Sequence, residues 1–293
     1  MLTEQTMSMR FSTLALAALT LSAPAAAADL ITKGPAPAPV EYVSPFDFAF
    51  GGKIMSDYNF RGISQSDRGP SATAYAEGRY NINETVQLYS GIQGWAVKLP
   101  SDPSAEIDLY AGARLTFGGL GFDFGGMYYW YPRETTLFNG LVPFVKDKND
   151  FFEVYGKASY TFNDMFSAGA NVFYAPNFLN TGATATYASL TGKVSLPNNF
   201  AVSGELGRYF LGTTDAFYGF ARLPDYTYWN AGVSYTYKVA TLDLRYHDTT
   251  LSKTQCFAVS GDPSGLANGG RSRWCGAAFI ATLSFDITGK DLK

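Results

Sequence analysis

The chain is poor in the residues that carry most enzyme chemistry. It has one histidine and two cysteines in 293 residues, and Asp, Glu, Lys and Arg together make up only 16%. A lone histidine supplies neither a metal set nor a histidine pair, and Cys256 and Cys275 stand too far apart to suggest a zinc centre. Beyond the N-terminus no run of about 18 apolar residues occurs, which excludes a helical membrane protein. The formal net charge is −3 with Lys and Arg dispersed, so no basic patch offers itself to nucleic acid. The Gly118-Gly119-Leu120-Gly121 run precedes no helical pattern and reads as a hairpin turn rather than a phosphate cradle. No cofactor or metal is expected.

Aromatic residues are abundant: 20 Tyr and 23 Phe help bring the aromatic share to 16%, alongside 30 Gly. The mean hydropathy of −0.05 looks soluble, but a membrane barrel hides its apolar residues by alternation, not in runs. Glu106 to Phe117 alternates without a miss. Ile107, Leu109, Ala111, Ala113, Leu115 and Phe117 share one parity, and Glu106, Asp108, Tyr110, Gly112, Arg114 and Thr116 share the other. Successive strand side chains point to opposite faces, so this segment has one greasy face and one bearing both charges. A tilted strand of about 9–11 residues crosses a bilayer.

The pattern recurs in about twelve segments, starting at Phe46, Ala72, Thr85, Glu106, Leu120, Phe151, Met165, Ala183, Phe200, Thr227, Thr241 and Trp274. Connections after the even segments are short and those after the odd ones long. The longest run from Pro132 to Asp150, Gly212 to Tyr226 and Asp248 to Arg273. Tight periplasmic turns alternating with long outer loops predict an all-β fold, an antiparallel up-and-down transmembrane β-barrel of about 12 strands. A soluble β-sandwich would also alternate, but its polar outer face would have to run over segments longer than ordinary strands.

The fifth and sixth segments carry aromatics at both ends of the apolar parity (Leu120, Phe122, Tyr128, Trp130; Phe152, Tyr160, Phe162), as an interfacial girdle requires. The opposite parity collects Glu106, Asp108, Arg114, Asp123, Glu153, Lys157, Glu205, Asp243 and Arg245. A Lys or Arg facing lipid at the midplane would cost about 2–4 kcal/mol, so these residues are assigned to the lumen as candidate pore lining. His247 shares their parity and is expected to be solvated or hydrogen-bonded there. An outer-membrane hydrolase would need it on the lipid-facing edge, so no catalytic residue is assigned.

Residues 1–28 read as a secretory signal, with Arg10 before an apolar stretch and cleavage expected after Ala28. Residues 29–45 form a Pro-rich periplasmic arm, 46–287 the barrel and 288–293 a short tail. An oxidising envelope favours a Cys256–Cys275 disulfide, worth about 3 kcal/mol in the chain-entropy account. The expected surroundings are outer-membrane lipid and the barrel-assembly machinery, although Phe285 is followed by eight further residues, not by the terminal aromatic such machinery usually reads.

The first segment and its loop contain Ser56-Asp57-Tyr58-Asn59-Phe60-Arg61-Gly62-Ile63-Ser64-Gln65-Ser66-Asp67. This string resembles the opening signature of the TorF-like family, an uncharacterised proteobacterial family of outer-membrane β-barrels. The resemblance implies an outer-membrane barrel and no activity. Asp57 and Arg61, four apart on one strand, would share a face, with Arg61 pairing Asp57 or a carboxylate on a neighbouring strand. Passive passage of small hydrophilic solutes is the leading functional expectation. A closed barrel acting through its external loops is the alternative, and an outer-membrane enzyme the third. The loop from Pro132 to Asp150, apolar at Leu137-Phe138 and Leu141 to Val145, could fold inward as a constriction or pack on a partner.

Overall fold

A computed structural model describes residues 45–289 and 291–292. The expected signal, its cleavage after Ala28 and nearly all of the Pro-rich arm lie outside the described residues. Twelve long strands close into one antiparallel barrel: β1 (Phe46–Met55), β2 (Ser71–Asn81), β3 (Val86–Trp95), β4 (Glu106–Phe117), β5 (Leu120–Trp130), β6 (Phe151–Thr161), β7 (Phe166–Ala175), β8 (Ala185–Ser195), β9 (Phe200–Leu211), β10 (Tyr226–Tyr237), β11 (Ala240–Thr249) and β12 (Ala278–Thr288). Each pairs with its neighbours in sequence, and β1 closes the ring on β12 from Ala49↔Thr288 to Met55↔Thr282. Closure leaves no unpaired edge, the condition for a sheet to cross hydrocarbon. The fold is a transmembrane β-barrel.

Strand starts fall within two residues of the alternation reading, except the last. β12 begins at Ala278, not Trp274, because Trp274 is buried and Cys275 is drawn into a disulfide with Cys256. Those two residues belong to the cap over the outer mouth.

The short turns use local chemistry. Asn83 Oδ1 accepts from the backbone N–H groups of Thr85 and Val86, and Asn163 Oδ1 does the same for Met165 and Phe166. Each asparagine side chain thus replaces a missing backbone partner and turns the chain in four residues.

The outward parity is exposed and apolar, with Ile92, Leu109, Val154, Leu190, Leu206, Val233 and Leu244 between 44% and 65% accessible. Aromatics gather at its two ends. Phe46 meets Tyr80 and Phe200 meets Tyr235 toward the short turns, while Trp229, Tyr246 and Phe279 meet toward the long loops. Such paired girdles match the two interfaces of a bilayer.

The inward parity follows another rule: tyrosine rings lie flat over glycines on the next strand. Tyr110 opposes Gly91 and Tyr89 opposes Gly112 in register, and Tyr155 opposes Gly125. A Cβ at Gly91, Gly112 or Gly125 would come within 2.6 Å of the ring or hydroxyl that covers it. The glycines therefore make room for the rings that fill the lumen.

Replacing Leu206, on the outer face, with Arg should lower the unfolding free energy in lipid vesicles by about 2–4 kcal/mol. Thr236→Arg, on the inner face near the rim, should cost far less. Equal costs in urea titration would show that the outer face does not meet hydrocarbon.

Candidate functional site

All nine charged residues assigned to the lumen point inward, and they fall into three groups. In the first, on the wall formed by β2, β4, β5 and β6, Arg114 makes a two-pronged bond to Glu77, 2.9 Å from each oxygen, and Arg79 also reaches Glu77. Asp123 stands in register between Arg114 on one side and Lys157 on the other and accepts from Tyr89. The Lys157 ammonium also lies over the rings of Tyr155 and Phe173, at 4.7 and 5.2 Å. In the second group, across the lumen, Arg245 bonds both oxygens of Asp243 at 3.0 Å and the hydroxyl of Ser203 at 2.7 Å. Glu205 accepts from Tyr187 at 2.7 Å and from Asn230 at 3.2 Å. His247 is buried and shares a 2.8 Å bond with Tyr228.

The third group is held by a segment that is not in the wall. β1 stops at Met55, and residues 56–70 fold back into the outer half of the lumen. Asp57 and Arg61 therefore do not share a strand face, and Asp57 is not the partner of Arg61. Asp57 instead accepts from Ser64, Ser66 and Arg68, all within the loop. Asn59-Phe60 and Ile63-Ser64 pair as a tiny hairpin, turned by Arg61 at φ +47° and Gly62 at φ +93°. Two successive positive φ values define the tight hairpin turn that glycine favours. A Cβ at Gly62 would also press on Tyr228 at 3.0 Å and Thr249 at 3.1 Å.

The hairpin tip carries Arg61 to the far wall. Its guanidinium donates to the two oxygens of Glu153 on β6 at 2.8 and 3.0 Å, and to the Tyr209 hydroxyl at 3.0 Å. Rings of Phe60, Phe173 and Tyr187 stand 4.6 Å from it, and Tyr209 5.1 Å. Tyr129 also donates to Glu153, at 3.0 Å. Arg61 is 2% accessible and Glu153 1%, so no water-filled passage runs beside them. Tyr58 makes a second anchor: it stacks on Trp95 at 4.1 Å and donates to Glu106 at 2.6 Å, while Tyr131 donates to the other Glu106 oxygen. Asp108 accepts from Trp95. Of the signature residues, Asp57, Tyr58, Phe60, Arg61, Gly62 and Ser64 are buried, Gln65 partly so, and Ser56 bonds to Ala281 at the rim.

The remaining outer loops roof this plug. In the last loop, α1 (Lys253–Ser260) carries Cys256, which is bonded to Cys275, and α2 (Pro263–Ala267) follows. Ser64 N–H donates to Trp274 O, Trp274 Nε1 to Asp67, and Arg68 to the carbonyls of Arg273 and Gly276. The loop from Pro132 to Asp150 lies on the roof, not in the lumen. Phe144 stacks on Phe257 of α1 and Lys146 bonds Asp215 at 2.7 Å, while Phe138, Leu141 and Val142 are exposed. Its one turn of hairpin (Leu137–Asn139 with Val142–Val145) is too short to reach down.

Sequence reasoning missed the plug and the tyrosines that receive it. Alternation did carry one signal: Tyr89, Tyr129, Tyr155, Tyr187 and Tyr209 share the inward parity with the charges.

The Lys146 ammonium, bonded to the Asp215 carboxylate, holds it below the ordinary aspartate range. A depressed carboxylate contributes above its unfolded value and loses that contribution as pH falls through the folded one. Amides of residues 131–150 should therefore exchange faster, relative to their chemical rate, once pH drops below about 3.9. Asp215→Asn should show that faster exchange at neutral pH. Unchanged protection in both cases would mean the clamp does not hold this part of the roof. Serine at both Cys256 and Cys275 should speed proteolysis within residues 250–277 while the barrel stays folded.

No curated protein matches the chain. Among solved structures, the NanC porin is 10% identical, with 82% of this chain and 98% of that one covered and a TM-score of 0.46. The KdgM porin is 8% identical, covering 82% and 98% at 0.44. The toluene transporter TodX of P. putida is 10% identical, covering 83% and 90% at 0.45. Likeness this distant says nothing about what passes through. The Gcw_chp family, described as a bacterial protein of unknown function, matches residues 40–268, and the chain belongs to that family.

Proposed function

We propose that the protein is an outer-membrane channel for small hydrophilic solutes, held shut by its own first loop. One observation carries the reading: the outer half of the lumen is closed by a loop, not by the wall, and residues 56–70 are held there by a few side chains, polar at Arg61 and Tyr58 and apolar at Phe60 and Ile63. Arg61 with Glu153, and Tyr58 with Glu106, are its main anchors. Toward the short turns the lumen wall carries charges of both signs, with Glu77 bonded to Arg79 and Arg114, which would line a path once the loop is displaced. A girdled barrel with long loops on one side fits an outer membrane, and the TorF-like resemblance of the loop belongs to the same reading.

A closed barrel acting through its exterior is the second reading, favoured by the interlocked roof with Phe138, Leu141, Val142 and Phe220 exposed on it. An enzyme draws no support from His247, whose ring bonds Tyr228 inside the lumen.

Single-channel recording on the refolded protein in planar bilayers separates the two. The wild type should be mostly silent, and Arg61→Gly should give stable steps proportional to salt. Charge reversal at Arg114 or Asp108 in that background should shift the ion selectivity. Silence of both wild type and Arg61→Gly, with insertion verified by heat-modifiable migration, would remove the channel reading and leave the closed barrel.

A further inference from the structure

The Arg61 guanidinium sits against the wall as a ligand sits in a site. Everything that holds it, apart from Phe60, comes from four consecutive strands: Glu153 on β6, Phe173 on β7, Tyr187 on β8 and Tyr209 on β9. The cation comes from a loop that is not part of the wall. Glu153 meets it with two parallel bonds, a geometry matched to a planar guanidinium and not to an ammonium, which reaches such a carboxylate as a point charge. Ring faces on several sides replace its water, and a desolvated cation is held more strongly by aromatic faces than an exposed one. Tyr129 bonds Glu153 at 3.0 Å and so fixes the carboxylate from behind.

We propose that this wall site is a recognition site for solutes carrying an alkylguanidinium group, and that Arg61 occupies it as a built-in surrogate when the channel is shut. A solute of this class competes with Arg61 for Glu153 and for the rings of Phe173, Tyr187 and Tyr209. Neutral and anionic solutes would leave Glu153 buried without a cation, which is strongly unfavourable. The preference for such cations in transport rests on the channel reading above. The binding itself does not.

Methylguanidinium chloride is the probe. Arg61→Gly empties the site, and glycine suits the positive φ that Arg61 adopts. This variant should gain thermal stability saturably with methylguanidinium, at concentrations at least about tenfold lower than methylammonium needs for the same shift. The wild type should need far more methylguanidinium, since a tethered competitor acts at an effective concentration in the millimolar range. Arg61→Gly/Glu153→Gln should lose the effect. A shift no larger than that given by methylammonium, or one that survives Glu153→Gln, overturns the assignment. Should Arg61→Gly refold poorly, recovery of refolding by methylguanidinium alone supports the site, and refolding indifferent to it counts against the site. Binding without current in any variant would sink the channel reading and keep the site. Current through Arg61→Gly that methylguanidinium does not block would do the reverse.

Discussion

A charge inside a narrow barrel has little water to solvate it, and a cation there without a partner is strongly unfavourable. Arg61 meets that constraint with Glu153 across the lumen, and much of the outer half of the molecule is arranged around the pair. The turn of residues 59–64 aims the guanidinium, Tyr209 accepts from it, Tyr129 donates to Glu153, and rings from three strands close over it. Removing one partner of such a buried pair typically costs about 3–5 kcal/mol, because the other is left charged and dry. The roof then fixes the other end of the loop through Trp274, Asp67 and Arg68.

The barrel supplies the frame in which this is workable. Hydrocarbon demands that every backbone N–H and C=O be paired, so the sheet closes and the apolar parity turns outward. The charges are then inside by necessity, and tyrosines lying over glycines fill the space that twelve strands would otherwise leave. The lumen differs between its ends. Near the short turns Arg79, Glu77 and Arg114 pair among themselves on the wall. Near the long loops the carboxylates Glu106 and Glu153 are met by Tyr58 and Arg61 from the inserted loop.

Much of this could be read from the sequence. Period-two alternation located eleven strand starts to within two residues and assigned the lumen charges, because a slip of one residue would push Lys157 or Arg245 into lipid. The short connections were legible as well, and asparagines such as Asn83 and Asn163 make them by local bonds. The plug was not. Arg61 and Glu153 are 92 residues apart, and no local pattern pairs them. Ser56 to Asp67 looked like a strand running into a loop, whereas its polar side chains satisfy one another within a compact turn. The apolar stretch at Leu137 and Leu141 to Val145 reads as able to fold inward or pack on a partner; it packs on the roof, and a charged arginine with an aromatic cage enters the lumen instead. Trp274 was placed in the last strand because the disulfide that lifts it into the cap joins residues on either side of a long loop.

The most direct test of the account is a double-mutant cycle on the pair that fixes the loop. Unfolding free energies of wild type, Arg61→Gly, Glu153→Gln and the double variant would be measured in lipid vesicles. The account predicts that each single change costs about 3–5 kcal/mol and that the double costs no more than either alone. Costs that simply add would contradict it, since the two side chains would then not be partners inside the lumen.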